Sequence, residues 1–204
     1  MTSRPILFSA PMVRAILAGR KTQTRLVVKP QPLPNLPFVG MKGDEARWAV
    51  YLGGDVSVDS EVRCPYGGPG DELWVRETWR PGRHSRHAFY RATDDDGAVA
   101  KVWRPSIHMP RWASRLTLRV TGVRVERLQA ISEEDAVAEG VERVWRDVPP
   151  AMGGGVEPRR DYLDEERWCA SASDSYRTLW ESINGPGSWA RNPWVWVVSF
   201  EVRP

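Results

Sequence analysis

The segment 115–128 alternates between apolar and polar side chains, and this alternation constrains the fold more than any other part of the chain. Leu116 and Leu118 share one face, whereas Arg119 points to the other. A period of two is typical of a β-strand with one buried face. The pattern predicts one long strand, or two strands that meet at Gly122. The fold is therefore predicted to rest mainly on β-structure.

Shorter predicted strands and three predicted helices complete the pattern. Further strands are expected at 5–9, 24–28, 73–79, 88–92 and 194–202, with a hairpin around 48–52. Helices are expected directly after the first strand, at 132–140 and at 173–183; Pro11 suits the start of the first helix and Gly19 its end. This order favours an α+β fold, a small mixed β-barrel with about three helices. We expect a single domain over 1–204, with insertions near 29–69 and 142–170.

The net charge and the amino-acid composition bear on which functional classes the protein can belong to. The net charge of +3 is too small to indicate nucleic-acid binding by itself. No apolar run reaches membrane-spanning or signal-peptide length, so we expect a cytoplasmic protein without membrane contact. Cys64 and Cys169 predict no disulfide framework. His84, His87 and His108 lack the paired spacing of a structural zinc site, so we expect no metal and no cofactor.

The segment 19–26, Gly-Arg-Lys-Thr-Gln-Thr-Arg-Leu, brings one amine and two hydroxyls close together. Lys21 is one of four lysines among 29 basic residues, although arginine would supply the same charge. Burial readily lowers the pKa of a lysine, and a neutral amine can take a proton from a hydroxyl such as that of Thr22 or Thr24. The preceding helix C-terminus opposes this, because it favours the charged amine. A solvated basic turn is the alternative explanation.

Two further features are candidates for the same site. Glu139 lies in the last turn of the second predicted helix, where a carboxylate is unfavourable unless it meets a cation such as Lys21. The alternative is a solvated surface glutamate. On the strand that follows Gly70-Asp71, Glu77 and Trp79 share one face and Arg76 lies on the other. We expect one of these faces to be core and the other to be a pocket wall.

The chain has eleven tryptophans, many of them beside arginines, as at Trp79-Arg80 and Trp103-Arg104. Aromatic side chains next to arginines suit stacking on bases and contact with phosphates. Alternatively, the tryptophans fill a small barrel. We expect most of them in the core and one or two at a pocket.

Four sequence anchors occur in a fixed order. They are Gly19-Arg20-Lys21-Thr22 with Thr24, Gly70-Asp71 with Leu73 and Val75, Ala136 with Glu139-Gly140, and Val198 with Phe200. In these anchors the chain resembles the ASCH domain, a PUA-like β-barrel superfamily associated with RNA and modified nucleosides. It is most similar to the longer ASCH-domain proteins of phages and prophages, and the likeness runs nearly from end to end.

The resemblance implies an activity and a site. In small bacterial members, a lysine, a threonine three residues later and a distant glutamate are associated with removing the acetyl group from N4-acetylcytidine. By motif these are Lys21, Thr24 and Glu139. The resemblance implies that the lysine activates the threonine for attack on the amide while the glutamate assists. Contacts to a modified nucleoside, nucleotide or RNA are expected from Arg20, Thr22, Arg25, Arg76, Glu77, Trp79 and Tyr90.

One position departs from the family pattern, which has arginine where this chain has Leu26. Arg25 is adjacent but is expected on the opposite face of its strand, which would leave that cationic contact absent. Other family members are reported as ribonucleases or as RNA binders. Three functions therefore stay open: an amide hydrolase, a non-catalytic RNA-binding module, and a ribonuclease in which Lys21 deprotonates a ribose 2′-hydroxyl.

Overall fold

The computed structural model describes three helices and twelve strands. The described residues are 2–31, 39–41, 47–50, 61–82, 87–94, 102–141, 159–160 and 168–203. The helices are α1 (Ala10–Leu17), α2 (Glu133–Ala138) and α3 (Ala172–Asn184). The strands are β1 (Ser3–Leu7), β2 (Gln23–Val27), β3 (Val39–Met41), β4 (Arg47–Val50), β5 (Glu61–Arg63), β6 (Glu72–Arg76), β7 (Trp79–Pro81), β8 (Ala88–Tyr90), β9 (Thr117–Arg127), β10 (Arg159–Arg160), β11 (Trp168–Cys169) and β12 (Trp194–Val202).

The main sheet has five strands in the order β1-β6-β9-β12-β2. β1 and β6 run parallel, and the other neighbours run antiparallel. The predicted α+β class with three helices is confirmed. The predicted barrel is not found: among the described strands, β1 and β2 are open edges that do not pair with each other. These two edges are joined by α1 rather than by a hairpin.

The long alternating segment forms one continuous strand, β9, with a local irregularity. Its register with β12 shifts where Ser199 faces Gly122 and Phe200 faces Val120. Thr121 is therefore the extra residue of a β-bulge. The sequence predicted either one long strand or two strands that meet at Gly122. Both alternatives are partly right, because β9 is continuous but irregular beside Gly122.

The core lies where α1 and α3 pack against the main sheet. Residues 195–198 of the inner strand β12 are all buried, as expected for a strand covered on both faces. Helix α1 contributes Val13 and Ile16 to this core, and α3 contributes Leu179 and Trp180. The predicted last strand matches β12, and the predicted second and third helices lie within two residues of α2 and α3.

Two expectations about shorter elements are wrong. Segment 29–69 was expected to hold one hairpin, whereas it contains the antiparallel sheet β3-β4-β5; residues 51–60 lie outside the described part. The strand predicted at 73–79 divides into β6 and β7. It breaks because Glu77 N–H donates to Met109 Sδ at 3.3 Å, and Trp79 pairs with Tyr90 of β8. Within segment 142–170, the described strands β10 and β11 pair antiparallel.

Candidate functional site

A backbone bridge joins the chain after α1 to the end of α2. Gly19 turns the chain out of α1 with a φ of +70°, a conformation that favours glycine. Lys21 and Glu139 then pair as an isolated antiparallel bridge, and Thr22 N–H donates to Ala138 O at 2.8 Å. The bridge brings the side chains of Lys21 and Glu139 together across 118 positions of sequence.

Lys21 is fully buried and makes three hydrogen bonds. Its Nζ donates to Glu139 Oε2 at 2.8 Å, to Glu139 O at 2.9 Å and to Gln23 O at 2.8 Å. These bonds use all three protons of an ammonium group. Burial lowers the pKa of Lys21 below its ordinary value, although the Glu139 carboxylate opposes that shift. The geometry is thus that of a charged amine whose proton is held less firmly than on an exposed lysine.

Gly140 permits the close approach of α1 and Lys21 to the end of α2. Its φ is +104°, and a Cβ placed there would lie 3.0 Å from Ala15 Cβ and 3.2 Å from Lys21 Cβ. A side chain at this position would be strained by both the backbone conformation and the contacts. The glycine in the Glu-Gly pair is therefore required for the Lys21–Glu139 contact.

Arg25 holds the second oxygen of the Glu139 carboxylate. Its Nη1 donates to Glu139 Oε1 at 3.0 Å and to Gln23 Oε1 at 2.7 Å, while its Nη2 lies 2.7 Å from Glu126 Oε1 and 2.8 Å from Asp135 Oδ2. Burial alone would lower the pKa of Arg25, but Glu139 and Glu126 raise it above its ordinary value. Each oxygen of Glu139 thus has its own cationic partner.

Arg124 extends this network toward solvent. Its Nε donates to Glu126 Oε2 at 3.1 Å, and its Nη2 donates to Asp135 Oδ2. Within the described residues, the network therefore contains three cations and three carboxylates. Its members are Lys21, Arg25, Arg124, Glu126, Asp135 and Glu139. The charges balance, as a buried ionic cluster requires.

A cavity of about 360 Å³ lies beside Glu139, along the free edge of β2 and against α3. This volume is within the range of small-molecule sites. Its polar wall includes Thr24, Arg25 and Glu139. Its aromatic wall comprises Tyr66, Tyr176 and Trp180. We call it the Glu139 cavity.

The sequence predicts that Leu26 leaves one cationic contact absent unless a bulge redirects Arg25, and no register shift is found where β2 pairs with β12. Arg25 and Leu26 both line the Glu139 cavity, although they point to opposite faces of β2. The cavity lies beside the edge strand β2, so side chains from both faces of this strand can line it. Arg25 is therefore a residue of the site in its own right.

Thr24 and Lys21 differ in their position relative to the Glu139 cavity. Thr24 is buried and lines the Glu139 cavity, whereas Lys21 is not among the lining residues. Within the described part of the chain, the Thr24 hydroxyl forms no hydrogen bond to Lys21 or Glu139. Lys21 thus reaches the cavity through Glu139, and activation of Thr24 by Lys21 requires a movement of one side chain.

Helix α3 is fixed against α2 at its first turn, and this fixes the aromatic wall. The Ser171 hydroxyl caps α3 by accepting from Asp174 N–H at 3.0 Å. The Glu133 carboxylate accepts from Ala172 N–H at 2.8 Å and from Ser173 N–H at 3.1 Å. These contacts join the start of α2 to the start of α3, the helix that carries Tyr176 and Trp180 of the aromatic wall.

The other predicted contact residues lie away from the Glu139 cavity. Arg20 and Thr22 do not line it. Glu77 is buried in an ion pair with Arg115, with Oε1 2.9 Å from Nε and Oε2 3.0 Å from Nη2. Tyr90 donates its hydroxyl to Ala113 O at 3.0 Å. Trp79 belongs to a second small core with Met109 and Ala113, and Arg76 donates to Ile107 O.

Sequence reasoning missed several residues of the site. Glu126, Asp135 and Arg124 belong to the ionic network but were not predicted as site residues. The one available sequence signal is that Arg124 and Glu126, two positions apart on β9, lie on the same face of that strand. Trp180 lies in the segment predicted as the third helix, and its sequence neighbours give no reason to place it at a cavity. The contacts that select these residues are formed between distant segments, and no local pattern encodes them.

Among the described residues, no three His, Cys, Asp or Glu side chains gather as they would around a metal ion; His84 lies outside this part. None of the described helices is long and apolar enough to cross a membrane.

No protein-family model, curated protein or solved structure matches the chain. The resemblance to the ASCH domain therefore stays a prediction drawn from the sequence motifs.

Proposed function

We propose that the chain is an ASCH-type, PUA-like protein whose Glu139 cavity binds a cytidine-like nucleoside and hydrolyses an N4-acyl amide on it. The observation that carries this proposal is the shared cavity: the Thr24 hydroxyl and the buried Glu139 carboxylate line one space. Acyl transfer needs a nucleophile and a base that activates it, and Lys21, the proposed base, donates to Glu139 Oε2 at 2.8 Å.

The cavity walls suit a flat polar heterocycle. Trp180 and two tyrosines line the cavity, and stacking on aromatic side chains is how unpaired bases are commonly held. The guanidinium of Arg25 lies 5.9 Å from the Tyr176 ring and keeps this wall charged at one end. The free edge of β2 adds backbone donors and acceptors to the same space.

In the proposed reaction, Thr24 Oγ1 bonds to the acyl carbon and the bond from that carbon to N4 breaks. The hydroxyl proton passes to the departing amine, and water then hydrolyses the acyl-threonine to release the acid. Lys21 is the proposed carrier of that proton. Lys21 can accept the proton only as a neutral amine, after one of its three N–H protons has passed to solvent and the hydrogen bond made by that proton has broken. The lowered pKa of Lys21 favours this deprotonation.

A second candidate is a non-catalytic module that binds a nucleoside or RNA through the same cavity. The observation that favours it is the full use of the Lys21 ammonium in hydrogen bonds, with none to Thr24. In that case the Lys21–Glu139 pair only supports the cavity wall. The two candidates predict the same ligand but differ in whether the amide is cleaved.

The test is incubation with N4-acetylcytidine, with free cytidine followed by mass spectrometry. Thr24→Val should abolish product, and Thr24→Ser, which keeps a hydroxyl, should retain part of it. Thr22→Val is the matched control, because Thr22 is exposed and does not line the cavity. Binding without product in the unchanged protein would reject hydrolysis and leave the binding module. Product that survives Thr24→Val would reject the assignment of the nucleophile.

A further inference from the structure

A second cavity of about 430 Å³ adjoins the Glu139 cavity. The two share Val27, Trp180 and Asn184 in their walls, so they are parts of one groove. We call the second one the Arg127 cavity. Among the described residues, its own charged lining residues are Arg127 and Arg191, without a carboxylate.

These two arginines differ from those of the ionic network. Arg25 and Arg124 are each paired with carboxylates, whereas neither Arg127 nor Arg191 has an ion pair within the described residues. Arg127 is held in place by donating to Asn192 O at 3.2 Å and by lying 4.5 Å from the Trp194 ring. Most of its five N–H donors are therefore left over for a ligand.

Two buried polar atoms point to the same conclusion. Trp180 and Ser188 are each only 3% exposed, and within the described part of the chain neither Trp180 Nε1 nor Ser188 Oγ has a hydrogen-bond partner. Both residues line the Arg127 cavity. An unsatisfied buried donor is unfavourable, and native proteins seldom keep one without a use. These two atoms are themselves buried and belong to residues of one cavity wall.

The walls of this cavity are anchored rather than loose. Asn192 Oδ1 accepts from Gln129 N–H at 2.8 Å, and Gln129 Nε2 donates to Trp189 O at 2.9 Å. Gln31 bridges to β12, because its Oε1 accepts from Trp194 N–H at 2.9 Å and its Nε2 donates to Trp194 O at 2.9 Å. The loop that carries Ser188 and Arg191 is thus fixed to the ends of β9 and β12.

We infer that the Arg127 cavity binds the phosphate group of a nucleotide whose base occupies the Glu139 cavity. Guanidinium groups with additional neutral donors, and no competing carboxylate, are the usual partners of phosphate oxygens. This inference rests on the proposed function for the identity of the base. It names the ligand of the groove as a phosphorylated nucleotide rather than a free nucleoside.

Isothermal titration calorimetry at low and high salt tests the inference with cytidine, cytidine 5′-monophosphate, cytidine 3′-monophosphate, ribose 5-phosphate and inorganic phosphate. At least one cytidine monophosphate should bind about tenfold or more tightly than cytidine, since charged hydrogen bonds contribute on this scale. Arg127→Gln and Arg191→Gln should each reduce this advantage and leave cytidine affinity unchanged. Arg119→Gln is the control, because Arg119 is an exposed arginine of the same strand that lines neither cavity.

The outcomes separate the two proposals. Equal affinities for cytidine and both monophosphates, or an advantage that survives Arg127→Gln and Arg191→Gln, would overturn the phosphate site while leaving nucleoside binding intact. If no cytidine compound binds, the proposed function fails, and the two phosphate probes decide the site alone. Binding of ribose 5-phosphate or inorganic phosphate that Arg127→Gln removes would then support it, and no binding would overturn it.

Discussion

The Lys21 ammonium and the Glu139 carboxylate form a buried ion pair, with Nζ 2.8 Å from Oε2, and the backbones of the same two residues form a β-bridge. Arg25 holds the other carboxylate oxygen at 3.0 Å. Glu139 is therefore the residue on which the chain after α1, the edge strand β2 and the end of α2 converge. Its loss should affect both the stability of the fold and the shape of the cavity.

Glu139→Gln should lower the free energy of unfolding by about 3 kcal/mol, because it leaves the buried Lys21 and Arg25 without their shared charge. Urea unfolding followed by circular dichroism measures this change. Glu134→Gln is the matched control, since Glu134 is an exposed carboxylate on the same helix. Equal stabilities of the two variants would contradict a central role for Glu139.

Gly140→Ala should destabilise the protein more than Gly185→Ala does, by about 1–3 kcal/mol, the usual scale of overpacking. Both glycines have positive φ, +104° and +89°, so both substitutions introduce backbone strain. Only at Gly140 would the new Cβ crowd Ala15 and Lys21; at Gly185 nothing lies within 4 Å. Thermal unfolding of the two variants makes the comparison, and equal losses would mean that the contact with Lys21 is not tight.

Lys21 should titrate below the ordinary lysine pKa of 10.5, because burial favours the neutral amine. Between the pKa of Lys21 in the folded chain and 10.5, the unfolded chain binds a proton that the folded chain lacks. In that window this residue makes stability rise with pH. NMR of labelled lysine side chains measures the midpoint, and the Lys21→Met variant assigns the signal. A midpoint at or above 10.5 would remove the case for Lys21 as a proton carrier.

Glu77→Gln should lower stability by about 1–3 kcal/mol without changing the affinity for cytidine, since Glu77 pairs with Arg115 away from the Glu139 cavity. Trp180→Ala, which removes part of the cavity wall, should weaken cytidine binding. Calorimetric titration of both variants tests the distinction. If Glu77→Gln weakens cytidine binding with little change in stability, Glu77 contacts the ligand as the sequence predicted.

The local elements were largely predictable because their signals lie close together in sequence. Ser132 followed by three acidic residues predicted the start of α2, and the structure shows the Ser132 hydroxyl accepting from Asp135 N–H. The alternation after Gly70 predicted one face shared by Glu77 and Trp79; both side chains are buried, but β6 ends at Arg76, before either residue. Capping and alternation depend on neighbouring residues, so a single sequence contains them.

The site was only partly predictable, because its geometry depends on long-range packing. The motif placed Lys21, Thr24 and Glu139 in one candidate site, but not the hydrogen bonds that hold the ammonium away from Thr24. The role of Arg25 follows from the position of β2 at the sheet edge, and strand order is not written in the pattern of one strand. The sequence predicted a barrel instead of an open sheet, because strand order depends on packing between distant segments.

The most direct measurement is a crystal structure of the protein soaked with N4-acetylcytidine, using the Thr24→Val variant to prevent turnover. We expect the base to lie between Trp180 and the edge of β2. Its acyl carbon should face residue 24, and its polar edge should lie near Arg25 and Glu139. A ligand bound outside this cavity, or an empty cavity at saturating N4-acetylcytidine, would contradict the proposed site.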